Sequence, residues 1–138
     1  MNACRVVCAA VLLMIAGLGG PVAAHHAFTM FDMDKELTYK GVVVDYMWSN
    51  PHVHFTVEIK AGPGIDPATI GRWDVESGST NIMTRQGWTR ATLKRGDPIT
   101  LVGHPMKDGS KGISLFYMIK ADGKRMYRDI ARPKDGAK

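Results

Sequence analysis

The sequence predicts an all-β fold, a small five-stranded OB-like barrel with one short helix between strands 3 and 4. Short segments that alternate apolar and polar residues recur along the chain, and turns rich in Gly, Pro and Asp separate them. A stretch with helix-capping residues follows the third such segment, and further strand segments follow it. This order of elements is typical of an OB-type barrel, whose helix plugs one end. Another small β-barrel or an open β-sandwich would give the same order, and both stay open.

The first 24 residues have the layout of a secretory signal peptide. Arg5 gives a positive start, residues 6–18 form an apolar run, and a Gly-Gly-Pro segment and small residues lead to Ala24. The run is too short to span a bilayer comfortably, and the Gly-Gly-Pro segment breaks a helix. We therefore expect cleavage after Ala24, a periplasmic or secreted protein, and no stable membrane insertion after the signal is removed. An uncleaved anchor is the alternative.

Residues 25–138 are enough for a single domain with a modest core. Both cysteines, Cys4 and Cys8, lie in the predicted signal, so we expect neither disulfides nor thiolate ligands in the exported chain. The whole chain has a formal net charge of +5, and basic residues gather towards its end, where residues 131–138 are predicted to be a disordered tail. Few aromatics accompany these basic residues, so no nucleic-acid partner is expected.

The first elements are an extended arm and a long strand. Residues 25–37 are predicted to form the N-terminal arm, with its aromatic residues packed against a barrel domain that covers residues 38–130. The β-branched and aromatic residues of segment 38–48 indicate the first strand. Gly41 is expected where this strand bends or bulges. A period-two pattern places four residues on one side of it: Val42, Val44, Tyr46 and Trp48.

The next two strands flank a loop. After the turn at residues 49–51, a clean alternation predicts the second strand. Residues 61–71 are rich in Gly and Pro and are predicted to form a loop. The third strand covers residues 72–76, with Trp73 and Val75 on one face. The residues of the second strand that are expected to face the core are Val53, Phe55, Val57 and Ile59.

The second half of the chain begins with the helix. Hydroxyl residues before it and Gly87 after it predict a helix over residues 80–86. Trp88 is expected to pack back on the core. Residues 98–103 and 113–120 are predicted to be the fourth and fifth strands, with His104 at the start of a loop. A short final strand is a candidate over residues 126–130.

The histidines indicate chemistry, and all five follow the predicted cleavage site: His25, His26, His52, His54 and His104. As a first residue, His25 could chelate one metal ion through its α-amine and its ring Nδ1 together. His52 and His54 are two apart on a strand, so they share its polar face, with Cα atoms about 6.5 to 7 Å apart. Two imidazoles at this spacing can share one ion.

The two histidine pairs predict a transition-metal site made jointly by arm and barrel, with His25, His26 and His52 as ligands and His54 as a candidate fourth. Nitrogen ligands and a free amine favour Cu(II), with Zn(II) and Ni(II) behind. The expected role is sequestration, delivery or sensing of copper without turnover, and a periplasmic protein is a candidate partner. Four thioethers are soft enough for Cu(I), although they are also ordinary core fillers: Met30, Met33, Met47 and Met106.

The competing interpretation is a metal-free module that binds a protein, a glycan or a small molecule on the barrel face.

Catalysis has less support, because the exported chain has no cysteine nucleophile and no nucleophile-elbow serine. Asp74 and Glu76 are a carboxylate pair on one face of a strand, which could do acid–base work, but alternating charges on a solvated face are the favoured explanation. A copper oxidase with an N-terminal histidine brace stays open. Five aromatics suit either a ligand platform or the core: Tyr46, Trp48, Trp73, Trp88 and Tyr117.

Three motifs together resemble the domain-of-unknown-function family 6152. They are His25-His26-Ala27-Phe28-Thr29-Met30-Phe31-Asp32, then Trp48-Ser49-Asn50-Pro51-His52, and then Gly87-Trp88-Thr89-Arg90 followed by Leu93-Lys94-Arg95-Gly96-Asp97. The resemblance implies an exported single-domain β protein with the double histidine at or next to the mature terminus, and it brings no established activity. The chain departs from the family pattern at Ala27, where serine is usual, and His54 lies at a variable position.

Overall fold

A computed structural model of the chain describes residues 29–129. The predicted signal peptide, His25, His26 and the predicted basic tail at residues 131–138 lie outside them. Between residues 29 and 129, no helix is long and apolar enough to cross a membrane. Strands and one α-helix make up the regular structure of this part of the chain: β1 (Leu37–Met47), β2 (His54–Ile59), β3 (Gly71–Glu76), α1 (Thr80–Arg85), β4 (Pro98–Pro105), β5 (Gly112–Lys120) and β6 (Arg125–Tyr127), with a 3₁₀ turn at Pro67–Thr69.

The strands of the described part form one sheet in the order β3-β2-β1-β4-β5-β6, with antiparallel neighbours. The sheet closes through parallel pairing of β3 with β5, in which Asp74 lies opposite Gly112 and Glu76 opposite Ser114. Strands β1 to β5 are therefore a closed five-stranded barrel, and β6 extends it from β5. The predicted OB-like barrel is confirmed, and closure excludes the open sandwich.

The core lies inside the barrel and continues beneath α1. All four predicted core residues of β2 are buried, as are Trp73 and Val75 of β3. Ser79 caps α1, and its Oγ accepts from the Ile82 amide at 3.5 Å. Met83 of the helix and Trp88 after it are fully buried. The predicted helix and the packing of Trp88 are therefore confirmed.

The four residues that were predicted to share one side of β1 do not do so. Val42 and Val44 do not join the core; Val43 does, at 1% exposure. The register with β2 shifts between Val43 and Asp45, so a bulge changes the phase of the alternation halfway along the strand. Tyr46 and Trp48, beyond the bulge, pack against the core, which is one of the two roles that the sequence left open for them.

Gly41 is not at the bulge. It pairs regularly with Ile99 of β4, and the register shift of β1 lies between Val43 and Asp45, so the predicted bulge does not fall at this residue. A Cβ here would lie 2.4 Å from Val57 Cγ1 and 2.8 Å from the Glu58 carbonyl oxygen. Glycine is required because β2 crosses too closely for any side chain.

Strand β4 also differs from the prediction at its end. It continues through His104 and Pro105, which were expected in a loop, because both residues pair with β5 beyond a register shift at Val102/Gly103. His104 therefore lies in a strand opposite Ser114, and its Nδ1 contacts the Lys35 carbonyl oxygen at 2.8 Å.

Candidate metal centre

The outer face of β1, β2 and β3 carries a row of three side chains. Strand pairing places His54 directly opposite Glu76 on one side and opposite Met47 on the other. Side chains of directly opposed residues project from the same face, with Cβ atoms about 4.5 to 5.5 Å apart. His52 precedes His54 by two residues, and the two imidazole centroids are 6.4 Å apart. The register thus brings both histidines to the same carboxylate.

The turn that carries His52 is tied to the start of α1. Asn50 Oδ1 accepts hydrogen bonds from the Thr80 amide at 3.2 Å and from Thr80 Oγ1 at 2.8 Å. The Val53 amide donates to the Gly78 carbonyl at 2.9 Å, which continues the contact between the two segments beyond the paired strands. The Asn50–Pro51 peptide bond is cis. The asparagine of the Asn-Pro-His motif therefore fixes the turn beside the helix.

His52, His54 and Glu76 form a compact group. His52 Nδ1 lies 2.7 Å from Glu76 Oε1. One ligand atom from each of the three residues lies within 4.8 Å of the other two. Donors bound at about 2.0 to 2.2 Å to one ion lie roughly 3 to 4 Å apart, so small side-chain rotations would close the group on an ion. Among residues 29–129, no other set of His, Cys, Asp or Glu side chains meets the same condition.

The group is open to solvent on one side. His54 is exposed, and the side chains of His52 and Glu76 are 30% and 22% exposed. Imidazole nitrogen together with carboxylate oxygen suits Zn(II), Cu(II) and Ni(II). Glu76 can bind the ion itself or accept the His52 Nδ1–H, which would aim Nε2 of that ring at the ion. The open side leaves room for ligands from elsewhere in the chain or from water.

The predicted ligands have different outcomes. His52 and His54 lie together, whereas His25 and His26 fall outside the described residues. Glu76 was not predicted as a ligand; the sequence analysis considered it only with Asp74, as a carboxylate pair. In the structure Asp74 does not join the histidines, and it accepts a hydrogen bond from Thr56 Oγ1 at 3.2 Å. Its position on the polar face of β3 was visible in the sequence. Only the register between β2 and β3 shows that it meets the histidines.

The predicted arm is fixed to the barrel as far back as Thr29. Phe31 is buried at 3% exposure and forms a β-bridge with Met106, so this arm aromatic packs against the barrel as expected. The Lys107 amide donates to the Met30 carbonyl at 2.9 Å, and Lys107 Nζ donates to the Thr29 carbonyl at 2.8 Å. The turn after β4 thus fixes the positions of Thr29 and Met30.

A cleft of about 640 Å³ lies between this fixed segment and the candidate metal group. One side is formed by the arm and the turn after β4, and the other side by the row on β1 to β3. Its lining includes Met30, Met47, His54, Glu76, Met106 and Gly112. The beginning of the described arm and two of the three candidate ligands therefore face the same space.

Comparison with known proteins gives a family and no activity. A family model described as a family of unknown function (DUF6152) matches residues 12–114. The match contains the double histidine, the Asn-Pro-His motif and Glu76. No curated protein shows significant similarity to the chain.

Proposed function

Because the chain belongs to the DUF6152 family, which is a family of unknown function, we propose a function from the site itself. The protein is exported and binds a divalent transition metal, foremost Cu(II), at a site shared by its N-terminal arm and its barrel. His52, His54 and Glu76 are the barrel ligands. His25, through its α-amine and Nδ1, and His26 are the arm ligands. The observation that carries the proposal is that the fixed end of the arm lines one cleft with His54 and Glu76, two members of the His-His-Glu group.

The length of the arm fits this arrangement. Three residues lie between His25 and Thr29, so four Cα–Cα steps join the two, and the Thr29 carbonyl accepts a hydrogen bond from Lys107 Nζ. An extended chain covers at most about 3.3 to 3.6 Å per residue, which gives a reach of roughly 14 Å. The proposal requires the arm to turn into the cleft and to meet the barrel ligands within that reach.

The ligand atoms and their exposure favour a Cu(II) ion that is bound reversibly. Imidazole and amine nitrogens with one carboxylate favour Cu(II) over Zn(II) in the usual order of affinities. Structural metal sites are closed by four protein ligands, whereas His54 here is exposed and its two neighbours are partly exposed. An open site supports sequestration, delivery or sensing, in which a partner or the solvent must reach the ion.

The test is a competition titration of Cu(II) and Zn(II) against a protein that begins at His25. His54→Ala is expected to weaken Cu(II) binding by roughly tenfold or more, because it removes a ligand. His104→Ala is the matched control, since this histidine lies outside the group and contacts the Lys35 carbonyl. Equal Cu(II) affinity in His54→Ala and wild type would contradict the proposal.

The competing function is a metal-free module for a protein, glycan or small-molecule partner, and the same cleft favours it in one respect. Its lining offers cationic Arg72 and Lys111 beside anionic Asp45 and Asp74, which suits a polar ligand of mixed charge. Absence of both Cu(II) and Zn(II) binding to the protein that begins at His25 would reject the metal site and favour this module.

A further inference from the structure

Exposed methionines lie beside the candidate metal group. Three of the four exposed large apolar side chains among residues 29–129 are methionines, namely Met30 and Met33 at 45% exposure and Met47 at 55%. Met30 and Met47 line the cleft together with Met106, whereas Met33 does not. The thioethers are thus concentrated on both sides of the space that the arm and the His-His-Glu group share.

Met47 is the direct neighbour of a candidate ligand. It lies opposite His54 in the pairing of β1 with β2, on the exposed face of both strands. Cβ atoms of such a pair are about 4.5 to 5.5 Å apart, and methionine has three rotatable bonds with which to place its sulfur. The sulfur of Met47 can therefore approach an ion bound by His54 without a change in the backbone.

Met106 and Met30 approach from the other side. The bridge between Phe31 and Met106 and the hydrogen bond from the Lys107 amide to the Met30 carbonyl hold their backbones side by side. Gly112 makes room for Met106, because a Cβ there would lie 2.7 Å from Met106 Cγ and 3.4 Å from its Sδ. Glycine thus leaves a space at the edge of the cleft that the thioether of Met106 fills.

We propose that this cleft also holds a site for Cu(I), with the thioethers of Met30, Met47 and Met106 as ligands and His54 shared with the Cu(II) site. Thioethers are soft donors that select Cu(I), whereas the carboxylate of Glu76 and an amine suit the divalent ion. This Cu(I) site extends the proposed function. It rests on the proposed function only in taking His54 as a metal ligand. The cleft would retain copper supplied in either oxidation state.

The test uses Cu(I) under anaerobic conditions, in competition with a chromophoric Cu(I) chelator, and Cu(II) in a parallel titration. Met30→Leu and Met47→Leu conserve size and are each expected to weaken Cu(I) binding roughly tenfold while Cu(II) affinity stays within about twofold. Met33→Leu is the matched control, equally exposed and outside the cleft, and it should change neither affinity.

Two outcomes separate this inference from the proposed function. Wild-type Cu(I) affinity in the double variant Met30→Leu/Met47→Leu would overturn the thioether site and leave the Cu(II) site standing. Thioether-dependent Cu(I) binding in a wild-type protein that fails to bind Cu(II) would reject the proposed function and support the thioether site.

Discussion

His52 and His54 point outwards because Val53, which lies between them, and Phe55, which follows them, fill the barrel core. Val53 and Phe55 are buried, so alternate positions must point outwards. That part of the site could be predicted from a period of two. Glu76 could not be assigned to it, because local pattern does not encode the register between β2 and β3 that sets this residue opposite His54.

The contact between Glu76 and His52 leads to a prediction about single residues. Glu76→Gln keeps the shape of the side chain but removes its charge, so Cu(II) affinity is expected to fall about 10- to 100-fold, whether the carboxylate binds the ion or orients His52. Asp74→Asn is the control, because this neighbouring carboxylate contacts Thr56 instead of a histidine. Equal losses in the two variants would mean that overall charge, and not the geometry at His52, controls binding.

Tyr46 gives a prediction about pH. Its Oη donates to the Thr89 carbonyl at 2.9 Å, and burial raises the pKa of Tyr46 well above its ordinary value. The fold therefore retains a proton that the unfolded chain releases above pH of about 10. The stabilisation is complete below that pH and is lost as the pH rises beyond it.

Tyr46→Phe should therefore lower the free energy of unfolding by about 1 kcal/mol at neutral pH, through loss of the hydrogen bond, and should flatten its decline in alkaline solution. Urea unfolding of both proteins across this pH range measures the effect. Parallel declines in the variant and the wild type would show that Tyr46 does not contribute to the pH dependence.

At the scale of elements, β1 shows what alternation predicts and where it fails. The pattern located the strand to within one residue at each end, yet it placed Val42 and Val44 on the same side as Tyr46 and Trp48. The bulge between Val43 and Asp45 reverses the phase, and a bulge is determined by how β1 must curve past β2 and β4. Glycine at position 41 likewise depends on neighbouring strands, because a Cβ there would overlap Val57 and Glu58 of β2.

Gly41→Ala should destabilise the barrel by about 1 to 3 kcal/mol, since the new Cβ would overlap both a side chain and a carbonyl of β2. Chemical denaturation measures the change. Gly62→Ala is the matched control: its nearest contact would be Ile65 Cγ1 at 3.8 Å, so a change below about 1 kcal/mol is expected. Similar unfolding midpoints for wild type and Gly41→Ala would refute the close crossing.

At the scale of the whole molecule, barrel closure and arm docking together create the cleft. The order of elements favoured the barrel, because an OB-type barrel places a helix between the third and fourth of five short strands, but only the pairing of β3 with β5 shows that the sheet closes. The cleft itself could not be predicted. It depends on Phe31 meeting Met106 and on Lys107 binding Thr29 and Met30, contacts between segments with no sequence pattern in common.

The central claim is that arm and barrel hold one copper ion together, and Cu(II) titration of a protein that begins at His25 tests it most directly. Each chain should bind one ion. A single residue added before His25 should weaken binding roughly tenfold or more, because it displaces the α-amine. The same addition should have a much smaller effect in the His54→Ala variant, because the two changes affect one site. Full affinity in the extended protein, or equal effects of the addition in both backgrounds, would contradict a shared site.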